Sequence, residues 1–142
     1  MTIEASFKTS SHQNIHNINR HQDKEMAARD MYEVMDLWGA WAASDHSGVD
    51  WQPIAAGFKG LLPHGKRSRL QCNDDEGIMI DGCVARLRKY KPEEYELIVA
   101  HFIIGISLRT IAKRRKCSDG TIRKDLQTAL GFIDGVLSII AH

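Results

Sequence analysis

Within GISLRTIAKRRKCSDGTIRKDLQTAL (residues 105–130), four side chains have the greatest chemical reach: Thr121, Arg123, Lys124 and Gln127. They are compact, polar and spaced to share one face of a helix. An arginine can pair bidentately with guanine and a glutamine with adenine in the DNA major groove. Arg109, Thr110, Lys113, Arg114 and Arg115 come just before them and suit phosphates, contacts that position a protein without reading sequence. Ser118, Asp119 and Gly120 open the second helix of the segment, where free backbone N–H groups can meet a phosphate. Two other basic groups lie upstream. One is Lys59, Lys66, Arg67 and Arg69 in KGLLPHGKRSRLQ (59–71). The other is Arg86, Arg88, Lys89 and Lys91. Either group could contact nucleic-acid phosphates or RNA. Part of the second is already explained by the preference of cations for a helix C-terminus.

Rival chemistries find less support. Catalysis needs converging acids, bases or metal ligands. The nearest such set, Asp45, His46 and Asp50, reads as a turn followed by a helix cap. Asp74, Asp75 and Glu76 could resemble a metal site, but carboxylates in the first turn of a helix account for them. Cys72, Cys83 and Cys117 are odd in number and far apart, which fits neither a disulfide framework nor the short paired spacings of zinc. The expectation is therefore no metal, no cofactor and no enzyme. A structural or packaging role for the helices stays open at this point.

The elements that must hold these side chains read as all-α. Residues 1–22 are rich in Ser, Asn, Gln and His and are expected to form a flexible tail. A single helical domain is expected over 23–142. Its first helix starts from Asp23 and runs to about Ser44, with Ala27, Met31, Val34, Trp38 and Trp41 on one stripe. Asp50 is expected to cap a short helical piece over 51–58, with Pro53 in its first turn. Asn73 or Asp74 starts the next helix, which continues to about Tyr90 with Ile80, Val84 and Leu87 inward. Pro92 opens another, striped with Tyr95, Ile98, Val99 and Phe102 and stopped by Gly105. Ser107 then caps a short helix with Leu108, Ile111 and Ala112 inward, and the chain turns over 113–117. Ser118 caps a last helix with Ile122, Leu126, Ala129, Leu130 and Ile133 buried. A short helix, a tight turn and a second capped helix form a helix-turn-helix, spanning about residues 93–130.

The net charge of +1 conceals an uneven distribution. Residues 1–58 hold four basic and eight acidic side chains, residues 59–124 hold fifteen and eight, and residues 125–142 hold two acids and no base. A basic middle between acidic ends suits one face for phosphates and another for a different partner. No stretch reaches the roughly 18 apolar residues of a membrane span. The first residues lack the apolar run of a signal peptide, so a cytoplasmic location and no membrane partner are expected.

Three stretches are more specific than a generic helical pattern. They are LWGAWAASDHSGVDWQPIAAGFKGLLP (37–63), DDEGIMIDGCVARLRKYKPEEYELIVAHFIIGIS (74–107) and KCSDGTIRKDLQTALGFIDG (116–135). In order they carry WGAW, D-W-x-x-I-A-A-G-F-K-G-L, D-G-C-x-A-R-L and C-S-D-G-x-I-R. Together they resemble the Q antitermination proteins of lambdoid phages, of the phage 21 type, over roughly residues 31–140. The lambda-type proteins carry paired cysteines for zinc, which this sequence lacks.

The resemblance implies a regulator of late phage genes acting in the host bacterial cytoplasm. It implies binding to a DNA element at the late promoter and joining of RNA polymerase at a sigma-dependent pause. Travel with the polymerase past pauses and terminators follows, with the RNA exit channel narrowed and nascent RNA as a further partner. The helix-turn-helix would resemble the DNA-binding part of sigma factors. On that reading the DNA role falls on Arg109, Thr121, Arg123, Lys124 and Gln127, and the basic loop and the Arg86–Lys91 end lie near upstream DNA or emerging RNA. The alternative is a helix-turn-helix repressor or activator that acts only at its DNA site.

Overall fold

The computed structural model describes residues 31–63 and 69–140. The chain divides into two compact units, Met1–Tyr32 and Glu33–His142. The expected tail and the expected helix start at Asp23 lie outside the described residues. Among the described residues of the second unit, every element of regular structure is helical, as the sequence predicts.

The first helix, α1, occupies residues 31–41 among the described residues and continues into a wider, π-helical turn at Ala42–His46. It unwinds where expected: Ser44 leaves helical geometry and Asp45 adopts a left-handed φ of 66°. The Ser44 hydroxyl donates to the Ala40 carbonyl at 3.1 Å, and the His46 ring stacks on Trp41. Asp45 and His46 thus terminate a helix. α2 is short, Gln52–Ala56, with Pro53 in its first turn. Contrary to expectation, no side chain caps it: the Asp50 carboxylate makes no cap bond, and Trp51 is the residue at the N-cap.

α3, Asp74–Tyr90, begins at Asn73, whose side chain accepts the Glu76 N–H at 2.9 Å. Its buried stripe is Gly77, Ile80, Cys83, Val84 and Leu87. α4, Pro92–Ile98, starts from Pro92 and runs into a second π-helical turn, Val99–Ile104. Gly105, at φ 91°, ends it as the sequence predicts. The N–H groups of Gly105 and Ile106 both reach the Ala100 carbonyl, at 3.0 and 2.9 Å. Carbonyls in the last turn of a helix take their partners from elsewhere, and the Phe102 carbonyl accepts from the Arg69 guanidinium at 3.0 Å. α5 is Leu108–Arg115 and α6 is Asp119–Ile140.

The core forms where α6 packs on α3, α4 and α5. Trp38, Met35, Leu87, Leu97, Phe102 and Ile122 are among its fully buried side chains. Two close approaches fix α1 in place. A Cβ added at Gly39 would lie 2.0 Å from the Phe102 carbonyl oxygen, and one at Gly77 would lie 2.4 Å from the Trp41 ring. Buried indoles need acceptors for their N–H groups. Trp38 donates to Asp81 at 2.8 Å and Trp41 donates to Asp74 at 2.9 Å. Among the described residues, no helix is long and apolar enough to cross a membrane.

Candidate nucleic-acid interface

α5 and α6 start with the same local device, eleven residues apart. At α5, the Ser107 hydroxyl oxygen accepts the Thr110 N–H at 3.1 Å and donates to the Thr110 hydroxyl at 2.9 Å. At α6, the Ser118 oxygen accepts the Thr121 N–H at 3.1 Å, and the two hydroxyls lie 3.0 Å apart. A serine cap satisfies one of the N–H groups that every helix start leaves open. The turn between them is Lys116–Ser118. Lys116 sits in the left-handed region at φ 57°, and the Cys117 N–H closes on the Ala112 carbonyl at 3.0 Å.

Behind this turn, Ile111 and Ala112 of α5 meet a buried stripe on α6: Ile122, Leu126, Ala129, Leu130 and Ile133. Burying that stripe turns the rest of α6 outward. Thr121, Arg123, Lys124 and Gln127 are all exposed, as are Ser118, Arg109 and Lys113, whereas Thr110 is half-buried. The geometry therefore places the sequence-predicted set along α5 and the first half of α6. It also gives the Thr110 and Thr121 hydroxyls cap partners of their own. A Cβ at Gly120 would make only an ordinary contact, 3.7 Å from the Ser118 oxygen, so the local fold does not require glycine there.

Several other predicted cations have intramolecular partners. Arg115 donates to the Glu93 carbonyl at 2.9 Å, joining the end of α5 to the start of α4. The Arg114 guanidinium lies over the Phe58 ring, 5.1 Å from its centroid. Arg69, a possible nucleic-acid contact on the sequence reading, donates from one nitrogen to the Asp36 carbonyl, the Asp36 carboxylate and the Phe102 carbonyl, each at 3.0 Å. It bridges α1 and the π-helical turn after α4, and that role needs no ligand. Lys66 and Arg67 lie outside the described residues. Lys59 is exposed just beyond α2. Arg88 lies over Tyr95 at 5.6 Å and Lys89 over Tyr90 at 5.5 Å.

A shallow groove between α2 and α5 is floored by Ala100 and Ile111 and walled by Ile54 and Phe58. Its lining holds Glu96, Arg114 and Arg115 as charged groups, with no nucleophile set against a base. Among the described residues, no three His, Cys, Asp or Glu side chains come together in a metal-holding cluster. Burial pushes the Cys83 thiol above its ordinary pKa, and Cys72 is raised by burial and then by Glu76, the opposite of what a reactive thiolate needs.

Sequence reasoning missed Asp81. Its carboxylate accepts from Trp38, from the Ser47 hydroxyl at 2.7 Å and from the Gly48 N–H at 2.8 Å. The available signal was a lone acid immediately after Ile80, beside an apolar stripe, in a chain whose core-facing Trp38 and Trp41 needed acceptors for their N–H groups.

The model for the phage antitermination protein Q family matches residues 28–142. The chain belongs to that family. A probable antitermination protein Q of Acyrthosiphon pisum secondary endosymbiont phage 1 is 49% identical over 114 residues, covering 80% of this chain and 77% of that protein. The prophage antitermination protein Q homolog QuuD of Escherichia coli K12 is 46% identical over 109 residues, covering 77% and 86%. The antitermination protein Q of Escherichia phage 933W is 42% identical over 112 residues, covering 79% and 78%. Among solved structures, transcription antitermination factor Q21 shares the fold, with a TM-score of 0.61 at 22% identity over 78% of this chain and 86% of that one. A second structure of that factor, in complex with Q21-binding-element DNA, aligns with a TM-score of 0.59 at 21% identity over 78% and 88%.

Proposed function

We propose that this chain is a phage late-gene antitermination factor that uses the α5–turn–α6 unit as a DNA-binding helix-turn-helix. It binds an element at the late promoter, joins RNA polymerase with its sigma factor at a nearby pause, and suppresses later pausing and termination. The observation that carries the reading is the outward face of α6, where Thr121, Arg123, Lys124 and Gln127 stand exposed over a fully buried stripe. A capped helix start with such a face suits entry into a major groove. Family membership supports the antitermination step. A protein of the same fold has been solved with its binding-element DNA, which supports the DNA step. The setting is the cytoplasm of the bacterial host, and the role is regulatory rather than catalytic.

The test is transcription by purified bacterial RNA polymerase from a late-promoter template that carries its pause and a downstream terminator. Added protein should raise readthrough, and deleting the binding element should abolish the effect. Occupancy of the DNA without any change at the terminator would leave a repressor or activator that acts only at its site, and the antitermination reading would fall.

A further inference from the structure

We infer that the corner between α3 and α4 is a stacking platform for unpaired nucleotides of the transcript. The inference rests on the antitermination reading above and adds a second nucleic-acid surface, distinct from the α5–α6 unit. Tyr90, the last residue of α3, is 62% exposed although it is a large aromatic side chain. One flank of its ring meets Phe132 of α6, with centroids 6.5 Å apart and the planes tilted by 42°. The Lys89 ammonium lies 5.5 Å from the Tyr90 centroid. Phe132 is itself half-buried, so the two rings form a supported shelf rather than a loose side chain.

The surrounding charge favours a phosphate backbone. Residues 86–91 read RLRKYK, four cations and no acid. Arg86, Arg88 and Lys89 are exposed, and Arg88 is held against the Tyr95 ring at 5.6 Å. Lys91 pairs with Glu94 at 4.0 Å, while among the described residues Arg86, Arg88 and Lys89 form no ion pair. An exposed ring among cations is the combination that binds single strands without sequence preference: bases stack on the ring and the cations follow the phosphates. A duplex cannot use it, because its base faces are already stacked on one another. In a transcribing complex the emerging RNA is an unpaired strand of this kind, and a sequence-tolerant grip suits a factor that must hold any transcript. α6 links the two surfaces. Phe132 lies five residues beyond Gln127, about 8 Å along the helix axis.

The experiment measures binding of the full chain to a short fluorescein-labelled oligouridine RNA, to the matching single-stranded DNA and to the late-promoter duplex. Tyr90→Leu should weaken RNA binding about tenfold and leave duplex binding unchanged, while Tyr90→Phe should bind RNA like the parent. Lys89→Gln should lower the salt dependence of RNA binding by about one unit of slope. RNA affinity unaltered by Tyr90→Leu, or an equal loss on the duplex, would overturn the proposal. Tighter binding of single-stranded DNA than of RNA would overturn its assignment to the transcript. If the parent chain binds the promoter duplex but not RNA, the platform fails and the antitermination reading stands. If it binds neither, that reading fails first. A thermal melt of Tyr90→Leu like that of the parent shows that the substitution tests the surface and not the fold.

Discussion

The indole N–H of Trp38 donates to Asp81 at 2.8 Å, and the same carboxylate takes the Ser47 hydroxyl and the Gly48 N–H. Trp38 is fully buried, so water cannot replace this acceptor. One side chain of α3 therefore satisfies a core tryptophan of α1 and pins the loop that follows α1. Asp81→Ala should lower the unfolding free energy by roughly 2–3 kcal/mol, because it removes bonds to a charged acceptor and leaves a buried donor unpaired. Asp81→Asn should lose less, since it keeps one acceptor oxygen. Urea unfolding of the three proteins tests the order, and equal stability of Asp81→Ala and the parent would refute it.

Gly39 and Gly77 make a sharper case because the obstacle at each is defined. At Gly39 the clash would be with backbone, the Phe102 carbonyl, which also anchors Arg69. At Gly77 it would be with the Trp41 ring, itself tied to Asp74. Alanine at either position should cost more than about 3 kcal/mol through overpacking and displaced hydrogen bonds. Gly82 and Gly131 lie in helices with open space around them. Alanine there should be neutral or stabilising by up to about 1 kcal/mol. Loss of stability at all four positions would show that helix packing differs from that described.

The helices were largely legible in the sequence because their signals are local. Asn73, Pro92, Gly105, Ser107 and Ser118 each mark a boundary through a cap, a fixed φ or a left-handed turn, and each lies where it was expected. The buried stripes of α3 and α6 were likewise visible as spacing. What stayed hidden depends on partners distant in the chain. Nothing near Arg69 announces that it will donate to a carbonyl in a π-helical turn thirty-three residues away. The π turns themselves follow from tertiary packing and carry no composition of their own. Asp50 shows the opposite failure: a good capping residue that the structure leaves unused as a cap.

Lys116 marks another departure from local preference. It holds a left-handed φ of 57° in the turn between α5 and α6, a position where glycine carries no steric penalty. A β-carbon in that region costs roughly 1–2 kcal/mol, partly offset by the extra chain entropy that glycine loses on folding. Lys116→Gly should raise the unfolding free energy by about 0.5–1 kcal/mol, whereas Lys116→Ala should leave it nearly unchanged. A thermal melt distinguishes them, with only the glycine variant expected to rise by a few degrees.

His101 predicts a pH response. Burial lowers its pKa below the ordinary histidine value, partly opposed by the hydrogen bond of its Nδ1 with the Ile106 carbonyl at 2.8 Å. Near neutral pH the ring is uncharged in both folded and unfolded chains. As pH falls through about 6.5, the unfolded chain takes up a proton that the folded chain resists, so stability falls. The decline levels off once the pH passes below the lowered folded value. His101→Gln should be less stable at neutral pH, through the altered bond to Ile106, yet show a shallower loss between about pH 6.5 and 5. Parallel curves for the two proteins would assign the titration to other histidines.

If the α5–α6 face binds DNA as proposed, contacts that read sequence should separate from contacts that hold phosphate, and two exposed cations should divide along that line. Arg123 projects from the second turn of α6, beyond the Ser118 cap, and carries a fork that matches guanine. Lys113 projects from α5, before the turn, as a point charge. Arg123→Ala should weaken binding to the promoter element by about 1–3 kcal/mol and relax preference at a single base pair. Lys113→Ala should weaken binding evenly on every sequence and reduce the salt slope by about one unit. The assay is affinity on the native element and on a set of single-base variants at two or more salt concentrations. Uniform loss for Arg123→Ala would place that guanidinium on a phosphate. Base reading would then have to rest on Gln127 and its neighbours on the exposed face of α6.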